Sequence, residues 1–163
     1  MTFAVLALFT KGKTKITNIE NLRIKETDRI QALENEISKL VKHFNLPAKV
    51  KTGKNWIEIQ SKKLSPGITF GQNNRLAFTH VSEAEHQAKN SQAARNYRLK
   101  FVPGNESEAK HETRQVIETY NDHRMAMSFG ILLDILPLEI INPDCESKSY
   151  TTFWKDLKKL SRD

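Results

Sequence analysis

Three short stretches of this sequence concentrate the side chains that can bind anions or move protons. They are Asn21-Leu22-Arg23-Ile24-Lys25-Glu26-Thr27-Asp28-Arg29, Tyr120-Asn121-Asp122-His123-Arg124, and Asn142-Pro143-Asp144-Cys145-Glu146-Ser147-Lys148-Ser149. Each precedes a segment with helical patterning. A helix start presents unpaired N–H groups and the positive end of the dipole, which makes it a ready anion site. Lys25 and Arg29 are four residues apart and are expected to share one helix face. Arg124 and Lys148 add cations at the other two starts. The planar fork of arginine suits a phosphate or carboxylate held by two hydrogen bonds. If the three starts converge, they form a pocket with at least four cations, whose natural ligand is a small, multiply charged anion. Glu26 and His123 are the groups in this set able to transfer protons. Cations around Glu26 favour its ionised form, so a proton role for it depends on desolvation or on the charge of a bound substrate. Taken singly, each cluster also has a structural reading. Lys-Glu-Thr-Asp-Arg fits a solvated first turn, Asp122 an N-cap, and His123 a hydrogen-bonded structural residue.

The elements that must position these groups are legible to different degrees. Thr2 to Phe9 is apolar nearly all round and is followed by Lys11-Gly12, which predicts a buried helix ending at a glycine cap. Lys13 to Ile19 alternates loosely as a strand. Between Glu26 and Phe44, Ile30, Leu33, Ile37, Leu40, Val41 and Phe44 recur at helical spacing. Glu26 and Asp28 are expected in the first turn of that helix, and Asn45-Leu46-Pro47 stops it. Ala48–Lys51 and Trp56–Gln60 read as a hairpin around Thr52-Gly53-Lys54-Asn55. From Asp122, a segment containing Met125, Ala126, Met127, Phe129, Ile131, Leu132 and Leu133 has little polar face and predicts a buried helix. Leu138–Ile141 is a short strand. Tyr150–Leu160 is a final helix with Phe153, Trp154, Leu157 and Leu160 on one side.

Residues 61 to about 115 differ in character. They hold nine Lys or Arg and five Glu, which is more than half of the net charge of +7 carried by all 163 residues. Periodicity there is weak. Ser82 and Glu85 suggest a capping box for a short helix to about Tyr97, and Pro103-Gly104-Asn105 signals a turn. The stretch reads as a peripheral lobe or an insert.

Composition narrows the function classes. No apolar run approaches the roughly 18 residues that span a bilayer, and no signal-peptide pattern is visible at the first residues. Cys145 is the one cysteine, which excludes an internal disulfide scaffold and a multi-cysteine zinc site; it is expected to be a buried, unreactive thiol. A reducing cytoplasm is the default compartment. The five histidines share no metal-ligand spacing. Positive charge alone fits nucleic acid, anionic lipid or small anions equally, but no zinc-finger spacing or aromatic-rich RNA-binding signature is present.

The first cluster, then Glu118-Thr119-Tyr120-Asn121-Asp122-His123-Arg124-Met125-Ala126-Met127, then Asn142-Pro143 through Cys145, Lys148 and Phe153-Trp154, resemble in content and order the C-terminal part of the EPSP synthase (3-phosphoshikimate 1-carboxyvinyltransferase) family. The resemblance covers residues 1 to about 60 and 117 to 160, leaving about 61–116 as an unmatched basic insert. It implies an α+β fold, part of a domain built from βαβαββ units with helices inside and sheet outside. It also implies a transferase of the shikimate pathway (aromatic amino acid and chorismate biosynthesis). Such an enzyme moves the enolpyruvyl group of phosphoenolpyruvate onto the 5-hydroxyl of shikimate 3-phosphate without a metal or organic cofactor.

Carried over by motif, Asn21 and Lys25 contact shikimate 3-phosphate, and Arg29, Arg124 and Lys148 hold phosphoenolpyruvate. Glu26 is the proton donor and acceptor at the methylene carbon, and His123 lies beside it; Lys25, Glu26 and His123 form the catalytic set. The herbicide glyphosate is the expected inhibitor of the parent enzyme, and neither nucleic acid nor membrane is an expected partner. The family's N-terminal domain, which supplies further substrate contacts, has no counterpart here. The chain therefore reads as a C-terminal fragment, inactive alone, and the apolar faces of Thr2–Phe9 predict self-association. Two other readings are a non-catalytic basic module binding nucleic acid through residues 61–115, and an enolpyruvyl transferase acting on a nucleotide sugar. The Lys-Glu-Thr-Asp-Arg and Tyr-Asn-Asp-His-Arg motifs argue against the latter.

Overall fold

A computed structural model describes residues 1–62, 74–79, 98–103 and 114–160; for 74–79, 98–103 and 146–148 it describes the backbone alone. In chain order the elements are α1 (Thr2–Leu6), β1 (Gly12–Thr17), a 3-10 turn (Glu20–Ile24), α2 (Arg29–His43), β2 (Ala48–Gly53) and β3 (Trp56–Ser61). There follow β4 (Asn74–Thr79), β5 (Arg98–Pro103), β6 (Gln115–Glu118), α3 (His123–Gly130), β7 (Leu138–Ile141), a second 3-10 stretch (Pro143–Lys148) and α4 (Phe153–Leu160).

The strands form two sheets. One is antiparallel with order β1-β3-β2; the other has order β4-β5-β7-β6. In the first, Ile57 and Ile59 of β3 point inward and are buried, while Glu58 and Gln60 alternate to the outside, where Lys13 reaches Glu58 at 2.9 Å. In the second, β6 and β7 run parallel, with Ile117 opposite Ile140, and α3 is the crossover between them. The basic stretch that shows little periodicity contributes β4 and β5, and β5 pairs antiparallel with β7. The expected helix from Ser82 to about Tyr97 and the turn at Gly104-Asn105 lie outside the described residues.

Helix α2 is the central packing element. Ile30, Leu33, Ile37 and Leu40 lie on its buried face at 0–1% exposure. Burying each contributes about 1.5–3 kcal/mol. The helix starts at Arg29, not at Glu26 as the pattern predicts. The carboxylate of Asp28 accepts the N–H groups of Ile30 (3.1 Å) and Gln31 (3.0 Å) and so acts as N-cap. Lys25 precedes it in extended backbone, at φ −92° and ψ −156°, so Lys25 and Arg29 do not share a helix face.

Helix α1 is shorter and less buried than its composition predicts. It ends at Leu6, with a right-handed cap at Ala7 and tighter turns through Leu8 and Phe9, well before Gly12. Ala4, Val5, Ala7 and Leu8 are buried, but Phe3 is 78% and Leu6 43% exposed. The helix packs one face on α3, where Thr2 and Ser128 share a hydrogen bond at 3.2 Å.

The last helix begins at Phe153, three residues after the predicted start. Trp154 is buried, donates its indole N–H to the Pro143 carbonyl at 3.2 Å, and lies against Gly130 at the end of α3. A Cβ at Gly130 would stand 2.7 Å from the Trp154 ring, so only glycine permits this approach. Leu160 is 79% exposed, outside the stripe expected to bury it. Cys145 is buried, as expected.

Candidate functional site

The strand-to-helix corner at residues 119–124 is built from a strained turn. Tyr120 (φ 54°) and Asn121 (φ 56°) are consecutive non-glycine residues in left-handed backbone, a conformation that costs about 1–3 kcal/mol each. Neighbouring bonds hold it. Thr119 donates to the carbonyls of Ile141 (2.9 Å) and Asn142 (3.4 Å), and the Asn142 amide donates to Asn121 Oδ1 at 3.2 Å. Asn142 (φ 52°) makes the matching turn after β7. The C-terminal ends of the two parallel strands thus lie side by side, and each opens into a helical start.

Tyr120 also ties the corner to α2. Its hydroxyl donates to Glu36 Oε1 at 2.8 Å; Lys39 donates to the same oxygen at 2.8 Å, and the Glu118 N–H reaches Oε2 at 3.3 Å. Glu36 is completely buried, so these donors offset the cost of placing a carboxylate in the interior. Burial first, and then the hydrogen bond to Glu36, hold the Tyr120 hydroxyl above its ordinary pKa. Burial alone would lower Lys39, but the bond to Glu36 and its charge outweigh it and hold the ammonium above its usual value. Both groups keep their protons more tightly when folded. Their stabilisation is complete below the ordinary values, near pH 10, and is lost as pH rises through the folded ones. The melting temperature is expected to fall above about pH 10, and Tyr120→Phe, which removes the bond to Glu36 (about 1 kcal/mol) and the longer one from Asn35 at 3.5 Å, should flatten that fall. A pH-independent midpoint from about pH 9 to 11, or an equal slope in the variant, would contradict this.

Asp122 follows the turn. It is 0% exposed and caps α3 by accepting the Arg124 N–H at 2.8 Å. It also accepts from Arg29 across 93 residues of sequence: Nε to Oδ2 at 2.6 Å and Nη2 to Oδ1 at 3.3 Å. Arg29, 4% exposed, donates from Nη2 to Glu26 Oε2 at 2.5 Å as well. Glu26 Oε1 lies 3.8 Å from His123 Nδ1, a buried nitrogen without a hydrogen-bond partner among the described residues. The first two clusters therefore meet, with Glu26, Arg29, Asp122 and His123 in direct succession. Arg124 is exposed beside them.

The third cluster adjoins the second through Asn142. Lys148 ends the 3-10 stretch Pro143–Lys148, and its side chain is not among those described. Asn21 and Lys25 are exposed on the approach to α2. That approach is fixed by Arg23, which the spacing does not single out. It donates to the Gly53 carbonyl (2.6 Å), the Lys54 carbonyl (2.8 Å) and Asp28 Oδ2 (2.6 Å), fastening the loop and the N-cap to the β2–β3 turn. Gly53 is required there, because a Cβ would meet the Trp56 ring at 2.3 Å. Arg23 and Glu36 escape sequence reading because Gly53 and Tyr120, the partners that give them their role, lie 30 and 84 residues away and leave no local pattern. Residues 61–115, where a nucleic-acid surface was an alternative, fall largely outside the described residues.

At this corner Glu26 occupies the Arg29 fork, the His123 imidazole lies 3.8 Å from the same carboxylate, and Arg124 stands exposed beside them, a set of groups with the chemistry to meet a small anion. The fold belongs to the α+β class with helices packed inside and sheet outside. It matches an EPSP synthase from Acinetobacter baumannii with a TM-score of 0.57 at 19% identity, over 98% of this chain and 26% of that one. In sequence, residues 1–73 match the family described as EPSP synthase (3-phosphoshikimate 1-carboxyvinyltransferase). The chain is 35% identical over 162 residues to the 3-phosphoshikimate 1-carboxyvinyltransferase of Hamiltonella defensa, and 33% identical over 162 residues to that of Mannheimia haemolytica. Each alignment takes in 99% of this chain and 26% of the relative, so the chain spans about a quarter of the length of the curated relatives it matches. The resemblance to EPSP synthase carried by the three motifs thus holds in sequence and in fold.

Proposed function

We propose that this chain is a C-terminal part of an EPSP synthase and forms one wall of a site that transfers enolpyruvyl from phosphoenolpyruvate to shikimate 3-phosphate, releasing phosphate. The observation that supports it best is the Arg29–Asp122 pair, which joins two helix starts and gathers Glu26, His123 and Arg124 around one corner. In this reading Arg124, Arg29 and Lys148 receive the phosphate and carboxylate of phosphoenolpyruvate, and Asn21 and Lys25 face shikimate 3-phosphate. An incoming anion replaces Glu26 at Arg29 Nη2. The released Glu26, once it has taken up a proton, gives it to the methylene carbon as the 5-hydroxyl oxygen adds to the neighbouring carbon, and takes a proton back as phosphate leaves carrying the hydroxyl's proton; His123 Nδ1 supplies its neighbouring hydrogen bond. The guanidinium groups stabilise the charge of the tetrahedral intermediate.

The remaining substrate contacts come from an N-terminal domain, so the chain alone binds weakly and does not turn over. Residues 61–116 are an insert on the C-terminal domain, and a cytoplasmic location accompanies the pathway. Among the described residues no helix is long and apolar enough to cross a membrane.

Calorimetric titration with phosphoenolpyruvate, and separately with glyphosate, in the presence and absence of shikimate 3-phosphate, tests the reading. Weak binding is expected, falling by about 10- to 100-fold in Arg124→Ala, the loss of one charge-assisted contact. Equal affinity in the variant, or binding to neither compound, would reject it.

A further inference from the structure

We infer that Asp122 is a positioning residue for the anion site, acting through Arg29 and not by touching the ligand. The inference rests on the proposed function of the corner. Its observation is separate: one fully buried carboxylate satisfies three donors from two helices. Oδ2 takes Arg29 Nε, and Oδ1 takes both Arg29 Nη2 and the Arg124 backbone N–H. A lysine-like point charge could rotate about such a partner, but a guanidinium held at Nε and Nη2 cannot. Two bonds along one edge fix both the plane and the direction of the fork, so the second N–H of Nη2 points where Glu26 now lies. Because the same oxygen caps α3, the backbone that carries Arg124 is set in register with the fork of Arg29. Asp122 therefore fixes the spacing of the two arginines. An N-cap alone would not need a carboxylate: an asparagine or serine oxygen caps a helix as well. A charged, bidentate group is needed only to hold Arg29.

The test separates the cap from the charge. Asp122→Asn and Asp122→Ser each retain a capping oxygen and lose the bidentate carboxylate. Titrated with phosphoenolpyruvate, both are expected to bind about tenfold or more weakly than wild type, as misplaced binding groups do. In an Arg29→Gln background the same changes should have less than about twofold effect, because the group they position is gone. Equal losses with and without Arg29, or unchanged affinity in Asp122→Asn, would overturn the inference while leaving the corner's reading intact. Insensitivity to Arg124→Ala would overturn both. A measurement on the wild-type chain stands apart from any folding defect of the variants. The Arg29 Nε–H should exchange with solvent far more slowly than that of Arg124, and equal exchange would contradict the proposal.

Discussion

Arg29→Leu is expected to destabilise the chain by about 3–5 kcal/mol, the cost of removing one partner from a buried ion pair. Asp122 is 0% exposed and Arg29 4%, and Arg29 supplies two of the three hydrogen bonds to that carboxylate. Without the guanidinium, Asp122 keeps a single backbone N–H and must either ionise uncompensated or take up a proton. The gain from burying a leucine at the site does not offset this. The double variant Arg29→Leu/Asp122→Asn should recover part of the loss, since the uncompensated charge is removed with its partner. Urea unfolding followed by circular dichroism gives both values. A loss below about 1 kcal/mol in Arg29→Leu, typical of an exposed pair, would show that the pair is not buried as described.

Trp154→Ala should cost about 3–5 kcal/mol as well, the usual range for a large aromatic removed from a packed site. The ring is 5% exposed, meets Phe153 edge-on at 4.8 Å between centroids, and covers Gly130 where α3 ends. Its indole also holds the Pro143 carbonyl, the first residue of the stretch that leads to Lys148. Truncation therefore leaves a cavity against α3 and releases the third cluster from the other two. The expected result is a lower unfolding midpoint together with weaker phosphoenolpyruvate binding. Replacement by phenylalanine, which fills most of the volume but cannot donate, should recover much of the stability and less of the binding. Equal recovery of both would show that the indole bond does not place the Pro143–Lys148 stretch.

The parts of this molecule that were readable in its sequence are those governed by local rules. The α2 stripe, the β2–β3 hairpin and β7 follow from periodicity of 3.6 or 2 and from turn residues. Chemical type at three helix starts poses a shared pocket only as a condition, and the family resemblance implies it; the structure joins the first two clusters through Arg29, Asp122, Glu26 and His123. What was not readable depends on distant partners. Helix α2 begins at Arg29, capped by Asp28, rather than at Glu26, and Arg23 ties that cap to the Gly53 and Lys54 carbonyls, some thirty residues on. Lys25 consequently leaves the helix face on which spacing placed it. Asp122 looked like an N-cap, which it is, but its hold on Arg29 spans 93 residues. Strands β4 and β5 were missed although Leu76 and Phe78, and Leu99 and Phe101, alternate in them, because the surrounding basic residues masked so short a signal. The nearly all-round apolarity of Thr2–Phe9 predicts a buried helix, yet one face alone packs on α3, and Phe3 and Leu6 remain exposed.

The central claim is that Arg29 and Arg124 serve one anion site organised by Asp122. Nitrogen-15 NMR of the arginine side chains during titration with phosphoenolpyruvate tests it most directly. The Nε signals of Arg29 and Arg124 should move together along a single binding curve. Shifts confined to the lysines of the outer sheet, or an Arg29 signal that stays fixed while Arg124 titrates, would contradict it.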